Sequence, residues 1–177
     1  MPETAPRLRA LIDAELVDLD DARVAAHVRD LLVEPVPVLR DWDYGEEDEQ
    51  YTCWSVLEHP QSATGIAFCD AGFGPGRPWG LVNLPHDAVP PGSMGMDCSW
   101  FSRFLDAYFD SLAATELPIW RVLRSKAGAD GGRVPLTPEM GWDEAWAEVK
   151  ALRAGDSAGR YHCGHTVVYR GRPSAGG

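Results

Sequence analysis

Between Arg40 and Trp100 the sequence alternates short apolar runs with breaks built from glycine and proline, and this punctuation limits the fold more than any other feature. The runs YTCWSVLE (51–58), GIAFCD (65–70) and WGLV (79–82) are short for helices. In the first of them Cys53, Ser55 and Leu57 alternate with Thr52, Trp54 and Val56, the period of two that marks a strand. His59-Pro60 to Thr64-Gly65 reads as a turn, which makes GIAFCD the returning strand of a hairpin.

The segment 71–80 carries four glycines and two prolines and invites comparison with a phosphate loop. It lacks the pattern: Arg77 stands where GxGxxG needs glycine, no Gly-Lys-Ser/Thr follows, and the run leads into a strand instead of a helix N-terminus. A rigid turn with Phe73 and Trp79 against the sheet is the expected structure. Residues 85–98 form a long irregular connection, a length that in compact domains usually goes with function or mobility.

Helices flank this region. Leu8, Leu11, Ile12 and Leu16 have helical spacing, and Asp20 or Asp21 caps a second helix marked by Val24, Val28, Leu31 and Leu32, so 6–32 reads as a helical hairpin. Pro35 and Pro37 then force an extended, edge-type strand. Ser99 is the expected cap of an aromatic helix over 99–114, the most buried helix of the chain. Pro118 ends it, and 119–124 and 160–170 supply further strands. Thr137 as N-cap and Pro138 at the first helical position open a helix over 138–153, with Trp142, Trp146 and Val149 on its buried side and Gly155 beyond its end. The expected fold class is α+β: one domain over 1–170, with a mostly antiparallel sheet of five or six strands drawn from 36–84, 119–124 and 160–170, covered by these helices. The tail 171–177 is expected to be disordered.

A chain of 177 residues can bury a core of ordinary size. Its four cysteines lie far apart and read as free, buried thiols rather than as a disulfide framework. No apolar run approaches the roughly 20 residues of a membrane span, and acidic residues interrupt the N-terminal stretch where a signal peptide needs apolar ones. A cytoplasmic location is therefore expected. Arginine outnumbers lysine 14 to 2, as in GC-rich bacterial genomes.

The net charge of −11 is unevenly spread, for residues 41–70 hold eight carboxylates and no lysine or arginine. Such a chain repels a polyphosphate backbone, which disfavours nucleic acid as a partner. On one strand Cys163 and His165 share a face while His162 points away, so zinc would need Cys53, Cys69 or His59 to converge there; no metal or cofactor is assigned. Cys98, before the expected helix at Ser99, is the best placed nucleophile. Asp41, Asp43, Glu58, Asp70 and Asp97 offer carboxylates in surplus, with no spacing that selects a pair. An enzyme or small-ligand site would be walled by 71–80 and 85–98, with Asp70, His86, Asp97 and Cys98 as its polar groups.

The preferred expectation is a binding module rather than an enzyme. Glu46, Glu47, Asp48 and Glu49 form an acidic loop beside Asp41, Asp43 and the aromatics Trp42 and Tyr44, a surface suited to a basic protein partner. In composition and size the chain resembles the small acidic immunity proteins with which bacteria neutralise basic toxin enzymes. No motif carries that resemblance, so it implies no residue roles and no oligomeric state.

Overall fold

The computed structural model describes residues 4–71, 73–84, 92–126 and 132–169. The fold is α+β, and the chain falls into two compact units: residues 1–17 with 24–114, and residues 18–23 with 115–177.

The first unit begins with α1 (Thr4–Val17), which buries Leu8, Ile12 and Leu16. These sit at i, i+4 and i+8, one stripe of a helix, and burying each contributes about 1.5–3 kcal/mol. Leu11, expected on that stripe, is 40% exposed. Asp21 Oδ1 accepts the backbone N–H of Arg23 at 2.9 Å and so caps α2 (Ala22–Leu31), whose buried side is Val24, Ala25 and Val28. With no intervening loop the chain enters β1 (Leu32–Asp41), four residues earlier than expected. Pro35 falls where the register of β1 shifts between Leu32 and Val36, and β1 is an edge strand, the position in which proline's missing N–H does least harm.

The strands β2 (Gln50–His59), β3 (Thr64–Phe68), β4 (Trp79–Asn83) and the two-residue β5 (Trp100–Phe101) complete a five-stranded sheet in chain order, antiparallel throughout. It is strongly curled, since Arg40 Nη2 on β1 reaches the carbonyl of Asn83 on β4 at 3.0 Å, three strands away. Cys53, Ala67, Cys69, Val82, Met94 and Trp100 form a buried cluster, against which Trp42, Tyr51 and Phe73 pack.

The aromatic helix departs from expectation. Ser99 closes a short 3₁₀ turn, Asp97–Ser99, and Trp100 and Phe101 pair with Gly80 and Trp79 as β5. A Cβ on Gly80 would lie 2.4 Å from the Trp100 ring, so glycine there lets the indole lie flat on β4. The helix α3 begins at Phe104 and ends at Asp110. Its cap is remote in sequence: Glu15 of α1 accepts the N–H groups of Phe104 and Leu105, each at 3.0 Å, and faces Arg103 at 3.5 Å. A carboxylate at that end satisfies orphan donors and complements the helix dipole.

The second unit holds its own antiparallel sheet, β7 (Arg133–Pro135), β6 (Trp120–Ser125) and β8 (Tyr161–His165) in that spatial order. The strands expected at 119–124 and 160–170 thus pair with each other instead of extending the larger sheet. The last helix, α4 (Trp142–Gly155), starts later than expected, and Gly155 is its final residue. Thr137 does not cap it, because its Oγ1 accepts the N–H of Val122 at 3.0 Å. Ala145 and Val149 are its buried residues, whereas Trp146 stays 38% exposed. Val122, Val149 and Tyr161 form this unit's core cluster. The expected tail lies outside the described residues. No helix among those described is long and apolar enough to cross a membrane.

Candidate functional site

The β1–β2 hairpin closes where Asp41 faces Gln50, with Gln50 Nε2 donating to Asp41 Oδ1 at 2.7 Å. Trp42 N–H then bonds the Glu49 carbonyl at 2.8 Å, which sets 42–49 apart as a loop. Within it Gly45 N–H donates to Trp42 O at 3.1 Å and Glu49 N–H to Glu46 O at 3.0 Å. The Glu49 carboxylate ties the loop further: Oε2 accepts the Glu46 N–H at 3.1 Å and Oε1 accepts the Tyr51 hydroxyl at 2.5 Å. These bonds hold the Glu49 carboxyl below the usual range, the Tyr51 hydroxyl contributing most, and raise the Tyr51 phenol in return. Gly45 is required by close approach, for a Cβ there would lie 1.9 Å from Glu49 Oε2 and 2.2 Å from Trp42 Cδ1.

The structure therefore divides the acidic run. Glu49 is half-buried and held within the loop, while Asp41, Asp43, Glu46, Glu47 and Asp48 are exposed. Among the described residues no lysine or arginine forms an ion pair with Asp43, Glu46, Glu47 or Asp48. Asp48 sits at φ +69°, the left-handed conformation that aspartate tolerates better than most residues.

The loop's own aromatics, Trp42 and Tyr44, belong to a patch of interlocked rings. Trp42 contacts Phe73 edge-on at 4.7 Å between centroids, and Tyr44 and Tyr51 at 5.6 Å each. Phe73 in turn meets Tyr44 at 6.0 Å and Trp100 at 5.7 Å. Tyr44 is 57% exposed, so the stack runs from the buried Trp100 to solvent. Phe73 packs against the sheet as expected; its contact with the 42–49 loop is what sequence reasoning missed, since its place in the glycine-rich segment gave no sign of that loop.

The other candidates are scattered. Asp70 is exposed and faces Arg7 at 3.7 Å. Asp97 and Cys98 lie in the 3₁₀ turn ahead of β5, both exposed, so Cys98 has no helix N-terminus after it and the expected dipole effect is absent. His86 lies outside the described residues. His165 stacks on Tyr169 at 6.3 Å and meets Trp120 edge-on, and burial raises the Cys163 thiol above its usual range. Among the described residues no three His, Cys, Asp or Glu side chains gather where they could hold a metal ion.

One basic cavity, of about 450 Å³, opens in the second unit among Arg153, Asp156, Ser157, Arg160, Tyr161 and His162. Several of its polar groups are turned on one another: Arg153 donates to the Tyr161 carbonyl at 2.6 Å and Tyr161 to Asp156 Oδ2 at 2.7 Å.

No family model matches the chain, and neither the curated proteins nor the solved structures contain a match.

Proposed function

We propose that this chain is a binding protein that captures a basic protein partner through the 41–49 loop and the ring patch to which its aromatics belong. The observation that carries the reading is the set of exposed carboxylates at Asp43, Glu46, Glu47 and Asp48, on the same loop as the exposed Tyr44 and with no cation of the described chain paired to them. Carboxylates of this kind attract a cationic partner over a Debye length of about 8 Å at physiological salt, and they fix its register on arrival. The rings then supply apolar area and, for arginine, a face on which a guanidinium stacks. The loop's internal bonds through Glu49 and Tyr51 hold it in place before the encounter, which lowers the entropy lost on binding. A basic toxin enzyme of the kind that acidic immunity proteins neutralise is a partner of the right charge.

The test is titration of a fluorescently labelled oligoarginine peptide, read by anisotropy, with the wild-type chain and the Tyr44→Ala variant. Saturable binding that weakens about fivefold or more in the variant supports the reading. Equal binding by both proteins removes the aromatic patch from it.

A further inference from the structure

Cys53 and Cys69 lie one residue beyond the facing pair Trp54 and Phe68 of β2 and β3. A bulge sets them opposite one another. Counting back from His59 opposite Thr64, an unbroken ladder would place Cys69 against Trp54, but the register shifts by one between Ser55 and Leu57 and moves Cys53 into that place. The N–H of Cys69 donates to the Pro78 carbonyl at 2.8 Å, toward β4. Toward β2 the two cysteines are thus a non-hydrogen-bonded pair, the kind whose Cα atoms approach to about 4.5 Å. A disulfide spans Cα separations of about 4.4–6.8 Å. Both residues are buried in one cluster.

We propose that Cys53 and Cys69 are a reversible redox couple, closed to a cross-strand disulfide by a small peroxide and reopened by a dithiol. The surroundings assign the roles. The influence of Cys53 and of the Ala71 backbone lowers the Cys69 thiol below its usual range, while that of Cys69 together with burial pushes Cys53 up. Arg40 adds a buried positive charge that favours ionisation of Cys53; it is 1% exposed, and its Nε and Nη1 have no hydrogen-bond partner among the described residues. Cys69 as thiolate attacks one oxygen of hydrogen peroxide. An S–O bond forms, the O–O bond breaks, and the departing hydroxide takes the thiol's proton as water. Cys53 then attacks the sulfenic acid sulfur, the S–S bond forms and a second water leaves. In sum two thiols and one peroxide give one disulfide and two waters. Both thiols are buried whereas Cys98 is exposed, so bulky oxidants meet Cys98 and not the couple. The couple stands apart from the binding reading, and neither depends on the other.

The experiment treats the reduced full-length chain with hydrogen peroxide, alkylates the remaining thiols after unfolding, and cleaves after glutamate and aspartate without reductant. With cleavage after aspartate as well as glutamate, Glu58 separates the two cysteines and Asp70 and Asp97 separate Cys69 from Cys98, so closure leaves the Cys53 and Cys69 peptides joined, two hydrogens lighter, and dithiothreitol separates them. Cys53→Ser and Cys69→Ser each abolish the joined species; should either variant fail to fold, the wild-type peptide map decides alone. Alkylated Cys53 and Cys69 after peroxide has consumed Cys98, or sulfinic acid at Cys69 with no joined peptide, would overturn the proposal.

Discussion

Tyr51 donates its phenol hydrogen to Glu49 Oε1 at 2.5 Å, two residues away along the start of β2, and this bond fastens the acidic loop to the sheet. It ties loop order to pH. Glu49 titrates below the usual carboxylate range in the folded chain, so its contribution to stability is present above the unfolded carboxylate pKa and is lost as pH falls through the lower, folded value. Tyr51 is raised, so its contribution is present below the unfolded phenol pKa and is lost as pH rises through the folded one. Replacing Tyr51 by Phe should lower the melting temperature at neutral pH, with the difference from wild type shrinking in acid and again in strong alkali. Melting curves across pH check this, and a difference that stays constant would mean the bond does not form.

Gly45→Ala places a methyl where the Glu49 carboxylate and the Trp42 ring already sit. The loop must open to admit it, at a cost of about 1–3 kcal/mol. Chemical denaturation should show this loss, together with a shift in tryptophan emission as Trp42 leaves Phe73. An unchanged midpoint would show that the loop is looser than its bonds indicate.

Glu15→Ala removes the acceptor of two backbone N–H groups at the start of α3 and leaves Arg103 without that carboxylate. Loss of a cap of this kind costs about 1–2 kcal/mol. The same denaturation measurement checks it, and a loss below about 0.3 kcal/mol would mean that solvent replaces the cap.

Arg40 yields a counterintuitive expectation. Two of its three guanidinium nitrogens lack partners among the described residues, and burial pushes its pKa down, so Arg40→Met exchanges an under-satisfied charge for an apolar chain of similar reach. Stability should change by no more than about 1 kcal/mol, or rise. A loss above about 3 kcal/mol, the cost of breaking a satisfied buried pair, would contradict this.

Most elements were legible in the sequence because their cues are local. The stripe of Leu8, Ile12 and Leu16, the Asp21 cap and the alternation of 51–58 each act within a few residues. The errors came where distant groups decide. Trp100 and Phe101 follow a helical pattern, yet Gly80 leaves room for an indole on β4 and the pair joins the sheet; the α3 start then moves to the point where Glu15, 89 residues away, can cap it. Thr137 looked like a cap until Val122 N–H claimed its hydroxyl. At the candidate site the carboxylates and Trp42 were readable. The role of Phe73 and the opposition of Cys53 to Cys69 were not, the latter because a one-residue bulge resets the ladder.

On the binding reading proposed above, the loop carboxylates act by position and not merely by adding to the net charge. Two variants separate these: Glu46→Gln/Glu47→Gln/Asp48→Asn on the loop, and Asp143→Asn/Glu144→Gln/Glu148→Gln on α4, which change the net charge equally. With the labelled oligoarginine peptide at low and high salt, the loop variant should bind about tenfold more weakly and lose most of its salt dependence, while the α4 variant stays close to wild type. Equal weakening in both would contradict the account, leaving only the charge of the whole chain.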